Sequence, residues 1–292
     1  MRKLVLTLAC TVYTLITIAQ TPKNMVQRSH MRFPGKELSN ICGYVDSLGN
    51  EYALVGTSTG MTIVDVTNPD SIFTVASFIG PNSIWREIKT WKQYAYVTTE
   101  GGGGLQIIDM RNLPGTEIKK KSWTPTVFGQ TLNSIHALHI DSGYVYLYGS
   151  NIGNKGIVIG DLTDPWNPVF AGIFDGGYVH DGYVRNDTVW AGQIYAGTFS
   201  AIDVSNKANP VVLNTQQTPN AFTHNTWLSD NSKYLFTTDE VNNSYLASYD
   251  VSNVNNIIFL DKIQSQYPVS LSIVHNTHIL NDFSINYWYK TV

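Results

Sequence analysis

Cysteine is almost absent from this chain of 292 residues, where only Cys10 and Cys42 carry a thiol. Cys10 falls in an N-terminal stretch that reads as a removable leader. The mature chain then keeps Cys42 alone, which excludes an intrachain disulfide even in an oxidising compartment. Charge is scarce as well: 14% of residues are Asp, Glu, Lys or Arg, with a formal net charge of -3. No basic run exceeds Lys119 to Lys121. The chain therefore has no surface suited to neutralising phosphates, which excludes nucleic acid as a partner. After the leader, no segment shows a capped, amphipathic helical period, and none reads as a transmembrane span. Zinc-protease and Gly-x-Ser-x-Gly motifs are missing too. Gly101 to Gly104 is followed by the strand-like LQIIDM rather than a helix, so it reads as a tight hairpin connection and not as a phosphate loop.

The leader is MRKLVLTLACTVYTLITIAQ, with Arg2 and Lys3 ahead of an apolar stretch from Leu4 to Ile18. Thr17-Ile18-Ala19 supplies a small-x-small cleavage site, so residues 1–19 read as a secretory signal peptide and 20–39 as a lead-in. A single membrane anchor is the competing reading, weakened by the short length and four threonines. A lipoprotein at Cys10 fits less well, because Leu8 stands where a small residue belongs.

What the chain has in abundance is repetition. The segments NICGYVDSLG, SIWREIKTWK, SIHALHIDSG, YVHDGYVRND, FTHNTWLSDN and IVHNTHILND align on their third residues: Cys42, Trp85, His136, His180, His224 and His275. The spacings are 43, 51, 44, 44 and 51 residues. About 23 to 26 residues after each of the first five comes an apolar run ending in Asp65, Asp109, Asp161, Asp203 or Asp250. Between these landmarks lie β-patterned stretches such as YALVGTS, YAYVTTE and YVYLYGS, and after each Asp a turn leads to another apolar run. Each unit reads as four short strands, and such a period is that of a β-propeller blade. The expected fold is all-β: a propeller of four-stranded blades over 40–292, with about five full blades and part of a sixth. A sandwich of short strands is the alternative, but it would not rewrite one set of landmarks six times. The five aspartates read as structural residues that accept hydrogen bonds from the following turn.

Several stretches carry a resemblance to a known family: YALVGTSTGMTIVDVTNP, GPNSIWREIKTWKQYAYVTTEGGGGLQIIDM, YVHDGYVRNDTVWAGQIYAGTFSAIDVSNKANPV, TPNAFTHNTWLSDNSKYLFTTDEV and VHNTHILNDF. They resemble LVIVD-repeat propellers, and more closely the bacterial choice-of-anchor B family, over about Asn40 to Phe283. The resemblance implies an exported protein fastened to the cell surface by a C-terminal device that varies between members. It implies no established reaction. Where relatives continue through further strands, this chain turns into INYWYKTV, so a truncated propeller is expected, without the anchor.

In a propeller the first strand of each blade lines the central channel, so His136, His180, His224 and His275 are expected at one channel mouth. The second strand runs back to that face, which adds Glu100, Asp239 and Glu240. Two readings follow for this cluster. The residues lock blade to blade, or they hold a ligand or a divalent metal ion, the one cofactor the pattern admits. His136 with His139, and His275 with His278, are three apart on strands and point to opposite faces unless a bulge intervenes, so His139, Tyr183, Trp227 and His278 read as packing. Trp85, Trp91, Trp166, Trp190 and Trp227 read as mostly buried, with Trp166 in a turn as the exception. Arg86 is expected to pair with Glu87 or Glu100. The functional expectation is a non-catalytic binding or scaffolding module for a protein or glycan partner. The alternative is a metal-dependent hydrolase or lyase with a carboxylate base at the mouth.

Overall fold

The computed structural model describes residues 25–265, 272–280 and 283–290. The expected leader lies outside these residues. The repeating stretches form successive antiparallel sheets, each paired in chain order. Blade one holds β1 (Leu38–Val45), β2 (Glu51–Thr57), β3 (Gly60–Asp65) and β4 (Phe73–Ile79). Blade two holds β5 (Ile88–Trp91), β6 (Tyr94–Val97), β7 (Leu105–Asp109) and β8 (Lys119–Trp123). A small hairpin, β9 (Thr126–Val127) and β10 (Gln130–Thr131), precedes blade three. That blade comprises β11 (Ala137–Asp141), β12 (Tyr144–Tyr148), β13 (Ile157–Asp161) and β14 (Val169–Phe174). Blade four follows as β15 (Asp181–Arg185), β16 (Thr188–Gln193), β17 (Thr198–Asp203) and β18 (Val211–Gln217). Blade five is β19 (Thr223–Leu228), β20 (Tyr234–Asp239), β21 (Leu246–Asp250) and β22 (Ile258–Ile263). A sixth sheet pairs β23 (Ser272–Leu280) with β24 (Phe283–Lys290).

The first strands of neighbouring blades pack on each other, β1 on β5, β5 on β11, β11 on β15, β15 on β19 and β19 on β23. This arranges the sheets radially about a channel, as a β-propeller, and rules out two stacked layers. The core lies between blades. In β12, Val145 and Leu147 face blade two, beside Tyr96 and Leu105. Tyr146 and Tyr148 face blade four, beside Val184 and Val189. Strand alternation thus buries both faces of each middle strand, which is why those strands are apolar throughout rather than alternating with polar residues.

The outermost strands are exposed, and edge strands of this kind invite pairing with other chains. Lys119 to Lys121 sit on such an edge in β8, where charge discourages pairing. A register shift recurs between third and fourth strands, at Ile63/Val64, Ile159/Gly160, Ala201/Ile202 and Ser248/Tyr249. Such bulges add the twist that a radial blade needs. Just after them, and at the end of β7 where no shift occurs, Asp65, Asp161, Asp203, Asp250 and Asp109 each accept a hydrogen bond from the amide two residues on, at 2.6–3.2 Å.

Candidate functional site

Hydrogen bonds between first strands define which residues are equivalent. Asn225 Oδ1 accepts from the Thr277 amide at 3.1 Å, Glu87 Oε2 from Leu138 at 2.9 Å, and Asn40 Oδ1 from Ile88 at 3.2 Å. Each acceptor stands one residue after the mouth position and each amide two residues after it. The mouth row is therefore Ser39, Arg86, His136, His180, His224 and His275. This corrects the sequence alignment for the first two blades. Cys42 lies three residues deeper in β1, and Trp85 stands one residue outside the row, 47% exposed on the rim. A register shift between Leu38 and Ile41 hides the true phase of β1.

The four imidazoles form one row. Consecutive ring centres are 4.0 Å apart for His136 and His180, 4.6 Å for His180 and His224, and 4.0 Å for His224 and His275. Threonines from the preceding blades anchor two of them by the backbone: Thr98 donates to the His136 carbonyl at 3.1 Å and Thr238 to that of His275 at 2.6 Å.

The row divides into two halves. In one, a chain of hydrogen bonds is closed. Glu100 Oε1 meets His136 Nδ1 at 2.6 Å, His136 Nε2 meets His180 Nε2 at 3.1 Å, and His180 Nδ1 meets the Tyr178 hydroxyl at 3.0 Å. Burial works against charge on His136, but the Glu100 bond prevails and holds its pKa above the usual value. When His136 is protonated it donates from both nitrogens, and His180 accepts on Nε2 and donates from Nδ1 to Tyr178; when His136 is neutral, with Nδ1 donating to Glu100, the His180 bonds run the other way. Burial, with His136 and His275 nearby, pushes His180 down to about 2.

In the other half the separations are longer. Glu240 Oε2 lies 3.6 Å from His224 Nε2, and Glu240 Oε1 lies 3.6 Å from His275 Nε2. Neither separation is a hydrogen bond. His224 is 5% exposed. Its Nδ1 is buried without a hydrogen bond of good geometry. Burial and the neighbouring imidazoles hold His224 well below its ordinary pKa, and burial lowers His275 as well. Both are neutral at neutral pH, the form that ligates metal.

Asp239 stands outside this cluster, which corrects its expected place at the mouth. Its carboxylate accepts from the Thr218 hydroxyl at 2.5 Å and from the amides of Asn220 and Phe222 at 2.8 and 3.0 Å. It fastens the blade connection. Strand alternation sends Asp239 and Glu240 opposite ways, and only Glu240 reaches the imidazoles. Arg86 is also corrected: its buried guanidinium donates to the carbonyls of Thr57 and Pro81, while Glu87 pairs with Lys89 and Glu100 with His136. Trp166 is half-buried against the core, under the Lys121 ammonium at 4.8 Å.

A second tier, not foreseen from the sequence, lies deeper in the channel. Lys89 and Glu87 pair at 2.5 Å. Burial opposes the charge on Lys89, and the Glu87 carboxylate more than offsets it, so its pKa is raised. Burial, then Glu87, pushes Asp181 up to about 6, and Asn225 Nδ2 donates to it at 2.7 Å. His139, Tyr183, Trp227 and His278 form an aromatic row beside them, with ring centres 4.2–4.7 Å apart along the row. His136 and His139 do not converge on one point, nor do His275 and His278. The signal for this tier was the pair of charges two apart within an apolar strand, Glu87 and Lys89 in REIKTW.

Among known families, the LVIVD repeat matches residues 47–78, which span most of blade one. No curated protein matches the chain. Solved propellers do. A putative 6-phosphogluconolactonase from Bacteroides fragilis aligns with TM-score 0.57 and 12% identity, over 81% of this chain and 76% of that one. The periplasmic gluconolactonase of Pseudomonas aeruginosa gives 0.56 and 9%, over 81% and 77%. The β-propeller domain of Myceliophteria thermophila Cps50 gives 0.52 and 11%, over 82% and 80%. Likeness at such identities establishes the fold and leaves function to the site.

Proposed function

We propose that this chain is an exported β-propeller that recognises a partner, a protein or a glycan, at the mouth of its channel without catalysing a reaction on it. The observation that carries this reading is the rim. Trp85 and Tyr195 are 47% and 78% exposed, and they flank the imidazole row. The Trp85 ring lies 6.2 Å from His136, and Tyr195 lies 5.0 Å from Tyr178, the hydrogen-bond partner of His180. Exposed aromatic rings beside a polar floor suit recognition, because each offers a large apolar face at low entropic cost.

The leader at 1–19 supports export, and the LVIVD repeat supports a surface protein of the choice-of-anchor B kind. Glycan and peptide arrays probed with the full chain test the reading. Binding that falls at least tenfold in Trp85→Ala/Tyr195→Ala, with Tm unchanged, is the expected result. Binding that ignores both substitutions would refute it.

One observation favours a second reading, a metal-dependent hydrolase or lyase: Glu240 sits beside the neutral imidazoles of His224 and His275, as a general base beside a bound ion would. Turnover of a gluconolactone that disappears in Glu240→Gln would establish it over the first.

A further inference from the structure

We propose that the mouth binds a single divalent transition-metal ion of the zinc type where its two halves meet, through His180, His224 and Glu240, with His275 beside the carboxylate. This rests on the reading of the mouth as the working face and names an inorganic occupant for it.

The argument begins with spacing. One ligating atom from each of His180, His224 and Glu240 lies within 4.8 Å of the others. Zinc bonds of about 2.0–2.1 Å at tetrahedral angles place neighbouring ligand atoms roughly 3.4 Å apart. The 3.6 Å between Glu240 Oε2 and His224 Nε2 is close to that value and too long for a hydrogen bond. The separation is that of two ligands sharing one ion.

The donor set agrees. Two imidazoles and one carboxylate form a ligand set that zinc takes while keeping a position open for another group. Outer partners are in place too. The Tyr178 hydroxyl occupies His180 Nδ1 at 3.0 Å, so the ion takes Nε2, which stands 3.1 Å from His136 Nε2 without the ion, and His275 faces the second oxygen of Glu240 at 3.6 Å. Uptake turns His180 Nε2 from His136 to the metal and leaves His136 to Glu100.

The equivalent carboxylate in the closed half explains why only one site is inferred. Glu100 occupies the same place in blade two as Glu240 in blade five, but it is bonded directly to His136 at 2.6 Å, with no gap for an ion.

The test is calorimetric titration of the untagged, chelator-stripped full chain with zinc chloride alone. One ion per chain is expected. His224→Ala and the near-isosteric Glu240→Gln should each weaken uptake by more than about 100-fold, beyond the 10- to 100-fold that loss of an outer partner costs. Glu100→Gln should bind within a few-fold of the parent. No uptake, or uptake that Glu240→Gln leaves intact, would overturn the site. Circular dichroism of each variant separates loss of a ligand from loss of fold. The two readings fail separately. Without zinc uptake, partner binding that depends on Trp85 and Tyr195 still upholds recognition at the rim. Zinc uptake without any rim-dependent partner upholds the metal site alone.

Discussion

Glu240 and Glu100 hold the same position in two copies of one repeat, yet Glu100 closes on His136 at 2.6 Å while Glu240 stays 3.6 Å from both His224 and His275. Repetition brings imidazoles and carboxylates to one place, and the departure from repetition makes one half a hydrogen-bonded relay and sets Glu240 farther from its imidazoles in the other. Burial keeps His180, His224 and His275 uncharged, so four rings can stack without mutual repulsion.

Asn225 ties three blades together. Its amide donates to Asp181 at 2.7 Å and its carbonyl oxygen accepts from Thr277 at 3.1 Å. Asn225→Ala leaves the buried Asp181 carboxyl with the Gly182 amide but without its side-chain donor, strips the buried Thr277 amide of its acceptor, and should cost about 2–4 kcal/mol in urea unfolding. Adding Asp181→Ala should recover part of that loss. A double variant showing the simple sum of the single losses would mean that the two residues are not coupled.

Close approach between blades predicts a steep position effect at glycine. A Cβ at Gly172 would overlap the Lys207 carbonyl of the next blade, whereas a Cβ at Gly43 meets nothing within 4 Å. Gly172→Ala should lose about 2 kcal/mol and Gly43→Ala almost nothing. Equal Tm values for the two variants would contradict the packing of blade three on blade four.

His139 sets a pH dependence. Burial, with Lys89 nearby, lowers it to about 3, and its buried Nδ1 makes no hydrogen bond. Above its ordinary value of 6.5 both folded and unfolded chains carry it neutral. Between 6.5 and about 3 the unfolded chain binds a proton that the folded chain refuses, so stability falls as pH falls, by about 1.4 kcal/mol per unit. His139→Phe removes this contribution. From about pH 7 to about pH 5.5 the variant should lose about 1 kcal/mol less than the parent in urea unfolding, and identical losses would refute the assignment.

The propeller was legible because every blade repeats the same β pattern and the same Asp-turn, and because buried middle strands such as YVYLY stay apolar on both faces. The histidine row was legible for a related reason: a side chain at a fixed offset in each repeat must arrive at one level of the channel. Register was harder. The shift between Leu38 and Ile41 and the short β5 obscured that Ser39 and Arg86, rather than Cys42 and Trp85, continue the row. Nothing in the spacing distinguishes Asp239 from Glu240, since adjacent strand residues face opposite sides and only the partners, Thr218 for one and the imidazoles for the other, decide which side is which. The Glu87, Lys89 and Asp181 tier is assembled from unlike residues of two blades, so no repeat pattern marks it.

Anomalous diffraction at the zinc edge, from crystals of the untagged chain grown with zinc, addresses the mouth directly. The expected map has one strong peak within bonding distance of His180, His224 and Glu240, with the His136 and Glu100 pair intact beside it. Density confined to other histidines, or an empty gap between His224 and Glu240 at saturating zinc, would contradict it.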